Sequence, residues 1–215
     1  MKSFILKDLY NISRNARSML FILVVFAVFL VPASGVADYI FVCAILCSMM
    51  IVTTFSFDDS SKWTQYAMIM PVSRKDLVAG KFVVLAIFCA VGNVLGLALG
   101  TVSGLITNKI TFAPAKVGEL LVFTLTAGAV SLVFGGMSIP LVLRFGAEKG
   151  RVLMLVSFLI PSAICFGVYR LLVMAGVELT DRLISVLLCC SPVIALIWCY
   201  GMYRISCLIF SKQEL

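Results

Sequence analysis

Two neighbouring carboxylates, Asp58 and Asp59, stand between long apolar runs and open a polar stretch that closes at Lys81. Around them the chain lacks the partners that acid–base or nucleophilic chemistry needs. It contains no histidine, no Walker-type phosphate loop, no Gly-x-Ser-x-Gly and no paired intramembrane carboxylates. No catalytic residue and no cofactor is therefore expected, and any ATP-driven work must be done by another chain. Cys43 and Cys47 have a spacing that could suit a metal, but no polar side chains flank them. All eight cysteines fall within or at the ends of apolar runs, where free cysteine acts as a small buried hydrophobe. No metal site and no disulfide framework are expected.

Recognition suits residues 58–81 better than catalysis does. Asp58-Asp59-Ser60 can cap a helix start, because short polar side chains accept from orphan backbone N–H groups. Ser73-Arg74-Lys75-Asp76 has capping-box spacing with Asp in the Glu position. Pro71 separates two helices, since proline cannot continue the first. Trp63 and Tyr66 then share one face of the first helix, with Ala67 and Met70 nearby. Aromatic and arginine side chains are enriched at interface hot spots. The connection runs over 24 residues, well beyond the usual helix–helix connection of about 2–8. Asp58, Asp59, Lys62, Trp63, Tyr66, Arg74 and Lys75 are the expected partner contacts. The plainer alternative is a helix lying at headgroup level with an aromatic belt residue.

A second constellation concerns packing. Gly92, Gly96, Gly100 and Gly104 recur at strict i+4 spacing, which lets two helix backbones approach closely. The spacing leaves open whether the partner helix is in the same chain or in a second subunit. Asn93 beside this ridge could hydrogen-bond across helices.

These groups sit in a chain whose solvent must be lipid. Of its 215 residues, 62% are hydrophobic and 13% charged. A soluble domain is about 45–50% apolar and about 25% charged. The length suits one membrane domain without a separate catalytic domain. The net charge of +7 comes from basic residues beside apolar runs, which suits lipid headgroups and orientation rather than nucleic acid. No cleavable signal peptide is expected, because the first apolar run is too long for one. A span needs about 20 mostly apolar residues. Six stretches qualify: 18–36, 38–57, 82–107, 117–143, 152–175 and 183–205. The expected fold is therefore an all-α membrane protein with six transmembrane helices in a single domain over residues 1–215.

The first two spans are joined by a short turn at Pro32-Ala33-Ser34-Gly35 and should form a helical hairpin. Met1, Phe4, Ile5, Leu9, Ile12 and Ala16 recur at helical spacing, so residues 1–17 predict an interfacial helix. Its polar residues Lys2, Asp8, Asn11 and Asn15 fall largely elsewhere on the wheel. With both termini on the cytoplasmic side, 13 of the 17 Lys and Arg residues lie inside, as the positive-inside rule requires. Gly135-Gly136, Pro140, Pro161 and Pro192 predict kinks. No ionisable residue lies firmly at mid-membrane, which disfavours an ion-driven transporter.

The layout resembles the permease subunits of type 2 ABC transporters. The resemblance is narrower over residues 55–81, in Phe55-Ser56-Phe57-Asp58-Asp59, Trp63, Tyr66, Met70-Pro71-Val72-Ser73-Arg74-Lys75-Asp76-Leu77-Val78 and Lys81-Phe82. That run is similar to small bacterial permeases that export phenol-soluble modulin peptides, with Met70 standing where leucine is usual. The resemblance implies a cytoplasmic coupling helix between spans two and three, with Asp58 to Tyr66 entering a cleft on a separate ABC ATPase subunit. It also implies a second permease subunit, identical or different, an amphipathic or hydrophobic peptide as cargo, and a bacterial plasma membrane. The alternative from another class is a non-transporting scaffold or immunity protein that binds a membrane partner through the glycine ridge.

Overall fold

The computed structural model describes residues 2–13, 15–63, 66–67, 73–107, 114–174 and 181–212. The architecture is all-helical: α1 (Lys2–Ser13), α2 (Ala16–Ala33), α3 (Val36–Ser60), α4 (Arg74–Ile106), α5 (Pro114–Phe145), α6 (Gly150–Met174) and α7 (Asp181–Ser211), with a 3₁₀ turn at Ala147–Lys149. Lipid offers no hydrogen bonds to an exposed backbone, so apolar runs of this length fold as helices.

Among the described residues, five helices are long and apolar enough to cross a membrane: α2, α3, α4, and α5 and α7 over Gly118–Phe145 and Leu188–Ser211. The remaining expected span, 152–175, corresponds to α6 (Gly150–Met174). Its apolar stretch among the described residues is Leu155–Leu171, shorter than the other five. α4 is the longest element at 33 residues. At about 1.5 Å per residue it extends about 50 Å, against a hydrocarbon core of about 30 Å. Its charged first turns, with Arg74, Lys75 and Lys81, therefore lie beyond the apolar segment.

The turns follow local chemistry. Gly35 joins α2 to α3 at φ +114°, a conformation that side chains rarely adopt, and both Ser34 and Gly35 donate back to the Leu30 carbonyl. Pro32 is in the last turn of α2 rather than in the loop. Gly146 ends α5 at φ +81°, donating to the Val142 carbonyl at 2.8 Å.

α3 is the central element. It packs on α4 and α5, while α5 carries α7 on another side and α6 rests on α5. One apolar cluster joins Ile51, Val52 and Phe55 of α3 to Val84, Leu85 and Phe88 of α4 and Ile139 and Val142 of α5. A second joins Leu23, Ala27 and Val31 of α2 to Tyr39, Ile40, Cys43 and Cys47 of α3. The Tyr39 hydroxyl donates to the Leu23 carbonyl at 3.0 Å, so its buried oxygen is satisfied. Outward, α6 exposes Leu155, Leu159, Phe166 and Leu171, and α7 exposes Val193, Leu196 and Ile197. An apolar surface of that extent needs lipid or another protein against it.

α1 is a helix with a different orientation from the one its wheel predicts. Ile12 is buried, and Ile5 and Leu9 pack on the first cluster, so the apolar stripe turns toward the protein. Leu6 and Tyr10 are the exposed large side chains. Asp8, expected on the polar face, is only 3% exposed. The reason is ionic and lies in the site below.

Candidate coupling site

Asp58 and Asp59 form the last turn of α3, which runs on to Ser60. The expected role as caps of a following helix is thereby corrected, because the apolar helix simply continues through them. A carboxylate at a helix C-terminus meets the negative end of the dipole and needs cationic compensation. Asp58 receives it twice. Lys7 of α1 donates to its Oδ1, and Lys81 of α4 donates to its Oδ2 at 2.6 Å. Lys81 also donates to Asp8 Oδ2 at 2.8 Å and to Thr54 Oγ1 at 3.2 Å. Lys7 lies 3.3 Å from Asp8 Oδ1, an ion pair whose geometry falls outside hydrogen bonding.

The four charges close into a ring of alternating sign: Lys7, Asp8, Lys81, Asp58. An ammonium has three donors, and Lys81 uses all of them. The ring is buried, with side-chain exposures of 5% for Asp8, 8% for Asp58, 13% for Lys81 and 23% for Lys7. Aromatic faces cover both cations: Lys7 Nζ lies 4.5 Å from the Trp63 ring and Lys81 Nζ 4.7 Å from Phe55. The sequence places Asp58 among outward contacts and does not reveal its partners Lys7 and Lys81, or Asp8 and Thr54, which share Lys81 with it. One signal was available: Asp8 interrupts an otherwise apolar inward stripe.

Asp59 turns the other way. Its Oδ2 accepts from the Ala147 backbone N–H at 3.0 Å, tying α3 to the turn between α5 and α6. Two residues past the end of α3, Lys62 takes φ +52°, a left-handed conformation unusual for a side chain larger than glycine. This reversal carries Trp63 back over α1, where it meets Phe4 edge-on at 6.4 Å between ring centroids. Trp63 is thus half-buried against α1, whereas Tyr66 is 60% exposed and Ala67 fully buried. Helical backbone is present at Trp63 and at Tyr66–Ala67, and the remainder of the expected coupling helix, including Met70 and Pro71, lies outside the described residues.

At the far end of the connector, Ser73 caps α4 and its hydroxyl accepts from the Asp76 N–H at 3.1 Å. Arg74 reaches to the C-terminus of α7, donating to the carbonyls of Phe210 at 2.9 Å and Ser211 at 3.1 Å. Those carbonyls are orphans of a helix end, and a cation there also complements the dipole. Lys62 and Lys75 are exposed. Beside the ring is a cavity of about 340 Å³, whose lining includes Phe4, Asp58, Trp63, Val78, Ile139 and Arg144.

The glycine ridge meets α3 of the same chain. A Cβ on Gly92 would sit 2.7 Å from Cys47 Cβ and 3.2 Å from Ala44 Cα, and one on Gly96 would sit 3.2 Å from Cys43 Cβ. At Gly100 the neighbours are Tyr39 and Val36, each at 3.1 Å, and Gly104 is buried too. Cys43 and Cys47 are the small side chains that this close approach accommodates. Asn93 is pressed against Gly128 of α5, and its buried Oδ1 has no hydrogen-bond partner among the described residues. No cluster of three or more metal-ligating side chains occurs among the described residues.

Long apolar helices packed into one bundle, with their charges gathered at the helix ends, define a multi-pass integral membrane protein. Residues 3–211 match the family model described as ABC-2 family transporter protein, and the chain belongs to that family. It is accordingly a permease subunit of an ABC transporter, a membrane component of a kind that works with an ATPase subunit. A search of curated proteins found no match.

Proposed function

We propose that this chain is the membrane subunit of an ATP-driven exporter, with amphipathic or hydrophobic peptides as cargo, and that residues 58–81 are where its ATPase docks. The observation that carries this reading is the connector itself. Its outward side chains Lys62, Tyr66 and Lys75 are exposed, while Asp58, Asp59, Trp63 and Arg74 anchor it to α1, α4, the α5–α6 turn and α7. A pull on the outer face is thereby delivered to most of the bundle. Rigid-body rocking of helix bundles is an established route to alternating access.

In this reading α6 also spans the membrane, making six spans, α1 lies at the cytoplasmic interface, and both termini are cytoplasmic in a bacterial plasma membrane. Cargo passes between this chain and a second permease. The apolar character of the spans supports a hydrophobic or amphipathic cargo over a small ion. The scaffold alternative drew on a free glycine ridge, and α3 occupies that ridge within the chain.

The test is affinity purification of the tagged chain from its native membrane. The expected companion is an ATPase with a phosphate-binding loop. Tyr66→Ala combined with Lys62→Ala should deplete that ATPase while leaving the chain inserted. Undiminished recovery with the double variant would place the docking surface elsewhere. A preparation with no ATPase, under detergent conditions that keep a known transporter intact, would favour the scaffold.

A further inference from the structure

The ring of Lys7, Asp8, Lys81 and Asp58 has a geometry that a simple structural ion pair does not need. It joins three elements: Lys7 and Asp8 belong to α1, Asp58 to the end of α3, and Lys81 to the start of α4. The last two flank the connector on either side. Among the described residues, the other side chains holding α1 here are Ile5, Leu9 and Ile12 on the apolar cluster and Phe4 and Lys7 on Trp63. We infer that these four residues are positioning residues, a charge-locked joint that makes α1 move with both ends of the connector as one body.

Three features support a joint over incidental neutralisation. Each carboxylate is approached by both cations and each cation by both carboxylates, so loss of any member leaves two others under-compensated. Two adjacent residues of α1 carry opposite charges, and both turn inward, which fixes the rotation of α1 about its own axis. Burial keeps the attraction from being screened as a surface pair would be. Attachment by apolar side chains alone tolerates sliding, whereas a ring of four ion pairs, three of them hydrogen-bonded, selects one register. The consequence for transport rests on the proposed docking of an ATPase at the connector, but the joint itself does not.

Pulsed dipolar spectroscopy on the full chain in lipid nanodiscs tests it. Spin labels go on non-natural residues at Leu6 and Tyr66, both exposed, because the eight native cysteines rule out thiol labelling. The native chain should give one narrow distance distribution. Asp8→Asn and Lys81→Met should each broaden it. Inverting the whole ring (Lys7→Asp, Asp8→Lys, Asp58→Lys, Lys81→Asp) restores alternation and should narrow it again. Unchanged distributions in the single variants overturn the joint. If the single variants lose folded protein, the inverted ring decides, and a broad distribution or no folded protein from it overturns the proposal. These measurements need no ATPase, so they are independent of the docking test. In the assembled transporter, Lys7→Gln should leave ATPase binding intact and raise the ATP hydrolysed per cargo. An unchanged ratio would show that the joint transmits nothing.

Discussion

Lys81 illustrates how much one buried cation can hold. Its three donors bond to Asp8, Thr54 and Asp58, and removing it leaves two largely buried carboxylates with Lys7 as their remaining ring cation. Breaking a buried pair by deleting one partner costs about 3–5 kcal/mol. Lys81→Met should therefore lower the midpoint of thermal unfolding in detergent well below that of Lys75→Met, whose side chain is exposed. Equal midpoints would mean that the ring contributes little. Asp59 has one backbone partner and an exposed position, so Asp59→Ala should cost only about 0.5–1.5 kcal/mol in the same assay. At this scale the sequence displayed the charges without their partners. Lys7 and Asp58 are 51 positions apart, and nothing in either neighbourhood announces the other. By its type, Trp63 is expected to contact a partner protein. That its first interface is with α1 follows from the left-handed Lys62, which no periodicity predicts.

The helices themselves were read well, and their ends less so. Hydrophobic runs mark the lipid-spanning interior of a helix, but charged residues can extend the same helix for several turns. Asp58 and Asp59 are expected to start a new helix but finish α3, whereas the helix start expected at Ser73-Arg74-Lys75-Asp76 is where α4 begins. The glycine ridge makes a graded prediction. Helical Gly→Ala is worth about 0.5–1 kcal/mol of stabilisation where space allows, and overpacking costs about 1–3 kcal/mol. Gly92→Ala should destabilise most, because its Cβ meets Cys47 Cβ at 2.7 Å and the α3 backbone behind it. Gly96→Ala should cost less, its contacts beginning at 3.2 Å. Gly167→Ala on α6 meets nothing within 4 Å and should be neutral or stabilising. Thermal unfolding of the three variants checks the order, and a Gly92→Ala chain as stable as Gly167→Ala would refute the close approach of α3 and α4.

For the whole molecule, the asymmetry of charge predicts orientation. Reporter fusions at residue 212 and at Gly146 should be active on the cytoplasmic side, and one within 108–113 on the outer side. An outer-side signal at residue 212 would remove either the sixth span or the common side of the termini. Composition by itself determined that the chain lives in lipid and is built of helices, because 62% apolar residues cannot face water and a backbone in lipid must bond to itself. The i+4 glycines determined that one helix would be approached closely, since spacing along a helix is a local property. Only the tertiary structure decided that α3 is the helix that fills the ridge and that Asp58 faces α1 and Lys81. It also decided that Asp59 and Arg74 tie the connector to the ends of other helices. The physical reason is range. Burial and periodicity are written residue by residue, whereas ion pairs and helix-end caps depend on which distant segments the packing of the bundle brings within about 3 Å.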